Sequence, residues 1–337
     1  MVVANKTSRY CWAYETVPGT AEIVAIDTTC YYFGEYNEEC GDWNTAFVEN
    51  ASDAHWVYSV RTPSLTDLNT EYPTFSHVFL PTSVQPYSWI LKKPATATPM
   101  TVVALETGLT SPLTIRHEEG SGTNPMLTQA VGCYCVGLMS KAERGKELMV
   151  EATFAWQSIE DQGDRSHLTT APLKPAGEAA NEITGTYEGN PEIVWDVGGH
   201  NHSIAGVWKA EWSQPQEYES VDSDAGVTQT VYTYKYKPVE IILNAVFETT
   251  ETWDDYIDRK AATVMTIKLW KHDRTHYILG TFTNCRLVNH RKTGHRNKGH
   301  YNSVCAMLAE KVEYSANWLA EYDGADGDFT DHFKAGV

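Results

Sequence analysis

Five histidines and two closely spaced cysteines are the residues whose spacing invites chemistry. His200 and His202 sit two apart in Gly198-Gly199-His200-Asn201-His202-Ser203 and would face one side of an extended segment. A zinc site there needs two further ligands at a defined spacing, and the neighbouring sequence offers none, so a loop with two solvated imidazoles is the preferred reading. His290, His295 and His300 recur five apart, interleaved with Arg291, Lys292, Arg296 and Lys298. Those cations repel a divalent metal, while Gly294 and Gly299 mark a hairpin turn. Cys133 and Cys135 alternate along a presumed strand, where a buried thiol serves as a small hydrophobe. A zinc finger would pair them with a second close Cys or Cys/His couple, which the chain lacks. Seven cysteines, at 11, 30, 40, 133, 135, 285 and 305, are an odd count and read as reduced structural thiols.

Catalytic signatures are missing from the sequence. It contains no Gly-x-x-x-x-Gly-Lys-Ser/Thr phosphate loop, no Gly-x-Ser-x-Gly elbow and no His-Glu-x-x-His helix. Gly120-Ser121-Gly122 matches half of a nucleotide fingerprint without the strand-to-helix setting. The reading is therefore a protein without enzymatic activity, cofactor or metal. The basic turn keeps another use. In an acidic protein, Arg291, Lys292, Arg296 and Lys298 are candidates for docking onto an acidic patch of another subunit; the alternative is an ordinary solvated turn.

The elements that position these residues follow from composition. The 337-residue chain is 42% hydrophobic and 12% aromatic, enough for two cores. Eleven Trp, 19 Tyr, and 23 Gly and 14 Pro scattered between short apolar runs favour strands and turns over helices. A net charge of −18 opposes adhesion to nucleic acid or an anionic membrane. No apolar run approaches the roughly 18 to 20 residues of a membrane helix, and Met1 to Trp12 lacks a signal-peptide core, so the expectation is a soluble product without a secretion signal.

The chain reads as one β unit written twice. At an ungapped offset of 152, Cys133 falls on Cys285, Val136 on Val288, Arg144 on Arg296 and Lys146 on Lys298. The same offset pairs Trp43 with Trp195, Trp56 with Trp208, Pro63 with Pro215, Pro86 with Pro238, and Ile90-Leu91 with Ile242-Leu243. Leu148, Val150, Ala152, Phe154 and Trp156 alternate onto one face, and Val304, Ala306, Leu308 and Val312 are expected on the matching face. Residues 252–261 read as a short helix, capped by Thr252 with acids in its first turn; 97–109 is its weaker counterpart.

The layout is an extended arm over residues 1–25, a first β domain over 26–160, a linker or arm over 161–190, a second β domain over 191–318, and an acidic, Gly-rich flexible tail over 319–337. The fold class is mainly β: two tandem related barrel or sandwich domains, each with a short helix. Within the arm, Trp12-Ala13-Tyr14-Glu15-Thr16-Val17-Pro18-Gly19-Thr20-Ala21 is an aromatic-bearing stretch with a Pro-Gly turn, suited to contacting a partner.

That pattern, aromatic-x-x-Glu-x-Thr-x-x-Gly-Thr-Ala followed by the acidic Gly34 to Glu39, resembles the opening of tail tube (major tail) proteins of long-tailed bacterial and archaeal viruses. The segment from Gly132 through Gly145 to Val150 is similar to their paired strands. The resemblance implies tail-tube-like domains and a structural virion protein located in the tail and assembled in the host cytoplasm. It also implies stacked rings around a channel through which double-stranded DNA passes, arms linking rings, and tape measure, tail terminator and baseplate partners. Six-fold family tubes, with two units per chain, imply pseudo-hexameric trimers, hexameric rings being the alternative. Trp12, Tyr14, Glu15, Thr16, Gly19 and Thr20 join Arg291, Lys292, Arg296 and Lys298 as self-assembly candidates. An acid-rich wall would let the polyanion slide. The competing reading is a carbohydrate-binding β-sandwich of a tail or adhesin, with Trp43, Trp56, Trp195 and Trp208 exposed as platforms; a hydrolase with acids in loops is a third.

Overall fold

The computed structural model describes residues 8–15, 17–20, 31–32, 74–81, 84–90, 100–103, 112–119, 126–156, 158–161, 186–197, 200–203, 206–222, 229–247, 263–294 and 301–317. Among these, the first half holds β1 (Ser8–Tyr14), β2 (Tyr31–Tyr32), β3 (Thr74–Phe79), β4 (Met100–Val103), β5 (Leu113–Glu119), β6 (Met126–Glu143), β7 (Met149–Ala155) and β8 (Ser158–Asp161). The second holds β9 (Glu192–Val197), β10 (His200–Ser203), β11 (Val207–Asp222), β12 (Gln229–Tyr236), β13 (Val239–Phe247), β14 (Thr263–Trp270), β15 (Tyr277–Gly294), β16 (Tyr301–Ala309) and β17 (Lys311–Ala316). A 3-10 turn over Gln85–Trp89, with Pro86 in its first positions, is the helix described. Residues 100–103, read from sequence as part of a weak helix, are instead a strand: Thr101, Val102 and Val103 are β-branched, and the segment adds to β17. The helix expected at 252–261 lies outside the described residues, as do 162–185, 318–337, Trp43 and Trp56.

All strand pairings are antiparallel, and the sheets do not close into a barrel; the sandwich is the architecture found. A broad sheet runs β3, β7, β6, β11, β13, β16, β15. Packed against it are two shorter sheets, β2-β1-β5-β6-β8 and β10-β9-β14-β15-β17-β4. Strands β6 and β15, of 18 residues each, belong to two sheets. The N-terminal half of each lies between two strands of a short sheet, and its C-terminal half enters the broad one. Period-2 alternation builds the core: Ile241, Leu243 and Ala245 of β13 point inward while Glu240 and Ile242 face solvent.

The two halves repeat this pairing in the same chain order. β1 corresponds to β9, β2 to β10, β3 to β13, β5 to β14, β6 to β15, β7 to β16 and β8 to β17. Two irregularities match as well. The β5–β6 ladder slips between Leu113 and Ile115 beside Gly132 (φ 65°), and the β14–β15 ladder slips between Thr263 and Met265 beside Asn284 (φ 56°). The β6–β7 ladder skips Val136, and β15–β16 skips Val288. Each pair is 152 apart, so that offset holds for β6 and β15.

It does not hold for their neighbours. Ile115 faces Ala130 whereas Met265 faces Phe282, so the β14–β15 connection is longer by two residues, 17 against 15. Cys135 faces Phe154 whereas Leu287 faces Met307, so the β15–β16 connection is longer by one, 20 against 19. That extra residue inverts the expected face of β16. Ser303, Cys305, Met307 and Ala309 are buried, and Val304 is 38% exposed. A one-residue slip moves a strand's whole side-chain set across the sheet. Trp195 likewise has its counterpart in Trp12, since Trp12 lies opposite Ile115 and Trp195 opposite Met265. The stretch read as an N-terminal arm therefore contains the first strand of the first repeat.

Candidate self-assembly site

The repeats meet along a seam inside the chain. β6 of the first repeat takes β11 of the second on its outer edge, from Lys209 opposite Glu143 to Pro215 opposite Gly137. Arg144 N–H donates to the Trp208 carbonyl (2.8 Å), extending the ladder into the turn. Opposite charges face each other across this seam: Lys209 with Glu143, and Glu211 with Lys141. Lys209 Nζ also reaches Glu211 Oε1 at 2.8 Å. Gly206, just before β11, takes φ 83°, and a Cβ there would meet the Val246 carbonyl, so the chain enters the seam through a glycine.

Beneath the seam both repeats feed one hydrophobic cluster. Tyr87, delivered by the 3-10 turn, stacks on Tyr314 of β17 with ring centroids 3.9 Å apart. Trp212 Nε1 donates to Tyr314 Oη at 2.7 Å, and Tyr87 Oη hydrogen-bonds Ser140 Oγ at 3.0 Å. Burial pushes both phenols above their ordinary range. A second crossing, β4 on β17, runs from Glu313 opposite Val103 to Ala316 opposite Met100. At the far side, residues 186–190 lace the turns together. Leu148 N–H donates to Tyr187 O (2.8 Å), Glu188 N–H to Trp270 O (2.8 Å), and Gly189 N–H to Lys146 O (2.7 Å). His272 and Arg274 then reach Glu147 (3.0 Å) and Glu188 (2.5 Å).

The N-terminal candidates are placed inside this structure. Trp12 is 1% exposed, edge-on to Tyr14 and Trp89 at 5.4 Å each. Glu15 is buried and accepts from Gly132 N–H (2.7 Å), Thr114 Oγ1 (3.1 Å) and Gly19 N–H (2.7 Å). Its work is internal: the carboxylate seals the bulge at Gly132. The expected contact surface shrinks to the turn itself, where Val17, Pro18 and Thr20 are exposed, Gly19 takes φ 75°, and Thr20 N–H donates to Val17 O (3.0 Å). Thr16 is outside the described residues. Two aromatics at i and i+2 were the signal of a half-buried strand in this stretch.

Two of the basic candidates, Arg291 and Lys292, lie on the C-terminal half of β15, one side of which no described strand covers. Arg291 is exposed on β15 opposite Val304, and Lys292 is opposite Ser303. Arg296 and Lys298 are outside the described residues, as are His295 and His300; His290 pairs with Cys305, and His200 and His202 pair through β10 with Val197 and Trp195. Among the described residues no group of three His, Cys, Asp or Glu could hold a metal ion. Cys133, Cys135, Cys285 and Cys305 are buried thiols. Burial, reinforced by the Glu15 carboxylate, pushes Cys133 well up, and burial raises Cys135 and Cys285 to about 12.

The open face of the broad sheet is not acid-rich among the described residues. Glu143, Glu151, Glu211 and Glu240 are matched there by Lys141, Lys209, Arg286 and Arg291. Trp208 is 39% exposed while Trp195 is buried.

No protein-family model matches the chain, and no curated protein does. Among solved structures it is similar to the sheath/tube terminator of an extracellular contractile injection system, PVC, determined by cryo-EM in the extended state. The identity is 13% and the TM-score 0.28, over 36% of this chain and 92% of that one. A likeness of that size carries no argument about fold or function.

Proposed function

We propose that this chain is a structural tail protein of a long-tailed virus, without catalytic activity, that builds the rings of a tail tube through which double-stranded DNA passes. The observation that carries the reading is the seam: two repeats with the same strand pairing add edge to edge, β6 to β11, into one antiparallel sheet. A unit that continues its own sheet into a like unit needs only further copies to go on, and a heterologous contact of this kind closes into a ring when the rotation permits. Two units per chain make three chains a six-unit ring. The resemblance of the Trp12 to Ala21 stretch to tail tube openings points the same way, although its Glu15 serves the fold.

Passage of a polyanion requires a wall that does not grip phosphate. On the open face of the broad sheet, Lys141 and Lys209 stand opposite Glu211 and Glu143, so these two cations face carboxylates. Tape measure, terminator and baseplate proteins would be the partners of such a tube.

Electron microscopy of the purified chain tests the proposal. Rings or tubes with a central channel are expected. Discrete particles without a pore would overturn it, and monomers retained on immobilised glycans would establish the recognition module instead.

A further inference from the structure

We infer that the C-terminal half of β15, from Asn289 to Gly294, is the edge onto which a second copy of this chain adds its first repeat. The inference deepens the ring proposal and rests on it for what the assembly is. Its ground lies inside the chain. In the first repeat, the C-terminal half of β6 has β7 on one edge and β11 of the following repeat on the other, over Gly137 to Glu143. In the second repeat, the matching half of β15 has β16 on one edge, and no described strand covers the other. With the offset of 152 that relates the paired bulges at Val136 and Val288, Gly137 to Ala142 maps onto Asn289 to Gly294.

The same repeat logic fixes what covers it. β11 lies between β6 and β13, and the first-repeat counterpart of β13 is β3, whose outer edge is likewise uncovered by any described strand. The occupant is therefore the β3 side of another copy's first repeat, since among the described residues β3 holds the place in the first repeat that β13, the neighbour of β11, holds in the second. A second, independent edge agrees. β17 is covered by β4 of the preceding repeat, while its counterpart β8 has no described strand on its outer edge. Both exposed edges are those that head-to-tail addition of like units would cover.

Charge and exposure fit a contact between copies. Val288, at the bulge opening this segment, is 62% exposed, and Arg286, Asn289 and Arg291 are exposed beside it. A basic strand with an apolar bulge, on a chain of net charge −18, is complementary in charge to the acidic surface of another copy. An edge of this length left bare invites unspecific pairing.

The test uses the full chain. Successive residues in a strand direct their N–H groups to opposite edges, so of His290→Pro and Arg291→Pro one removes a donor facing β16 and the other a donor facing the open edge. The variant that keeps the wild-type melting temperature is expected to weaken association about tenfold or more by analytical ultracentrifugation. The quadruple reversal Arg291→Glu, Lys292→Glu, Arg296→Glu, Lys298→Glu leaves the backbone intact and is expected to remain folded, to associate at least about tenfold more weakly, and to cancel the salt dependence of wild-type association. Wild-type association by folded variants of both kinds would overturn the inference, as would an electron-microscopy map of assemblies with this edge facing solvent. So would an edge that binds added DNA duplex while self-association is unchanged by the reversal. Wild-type particles without rings or tubes would instead remove the tube reading, a separate outcome.

Discussion

The two repeats solve one backbone problem with different side chains. At Gly132 and at Asn284 a long strand leaves one ladder register for another through a residue with positive φ. In the first repeat the bulge is buried, its residue is glycine, and the Glu15 carboxylate receives its N–H. In the second the residue is an exposed asparagine whose side chain donates to Glu310, itself at the surface. Glycine takes left-handed φ at no steric cost and asparagine at little. What differs is the surroundings: a buried bulge must supply an internal acceptor for the displaced backbone donor, and a surface bulge has water. A carboxylate 117 residues away is thus part of the first bulge.

The contrast breaks most sharply at the acceptors. Glu15→Ala removes the acceptor from the buried Gly132 N–H and Thr114 hydroxyl and from the half-buried Gly19 N–H and is expected to cost roughly 3 kcal/mol or more, whereas Glu310→Ala costs about 0.5 kcal/mol or less. Denaturant unfolding midpoints of the two variants measure this, and equal losses would refute it. Next, Gly132→Ala places a Cβ at left-handed φ and is expected to lose about 1–2 kcal/mol, while Asn284→Gly stays within about 0.5 kcal/mol of the parent.

A third comparison concerns the seam. Tyr314→Phe keeps the ring and removes the acceptor of the Trp212 Nε1–H, for an expected loss of about 1 kcal/mol in thermal unfolding. Smallest is the turn between β14 and β15. Slight burial pushes the Asp273 carboxyl up, but hydrogen bonds from the His276 side chain and the backbone of His276 and Thr275 outweigh it and bring it down to about 2. The folded-state value is depressed, so its contribution is present above the ordinary carboxylate range and fades as pH falls through about 2. Because the pair is largely in water, Asp273→Asn should shift acid unfolding only slightly, with the difference from the parent gone below about pH 2.

Alternation made the strands legible from sequence, and the 152-residue spacing correctly set Cys133 on Cys285 and Val136 on Val288. It misplaced β16, because the inward face depends on the length of the connection from β15, and one added residue leaves the alternation looking the same while inverting it. Trp195 was matched to Trp43 for a related reason. Connections before β3 and β13 differ in length, so the partner at Trp12 lies 183 positions away, beyond any ungapped register. The buried role of Glu15 was hidden because its partners, Thr114 and Gly132, come from strands far along the chain. The basic edge was found by charge alone, but that it is an edge follows from the β6–β11 pairing, a non-local contact that no periodicity encodes.

That pairing also bears on how an assembly begins. Because both repeats are on one polypeptide, the β6–β11 junction closes as an intramolecular step, at an effective concentration on the order of millimolar. It is in place as soon as the chain has folded, whatever the supply of other chains. In the proposed ring, each chain would therefore come to its first encounter with another already carrying a finished joint, a template for the next one.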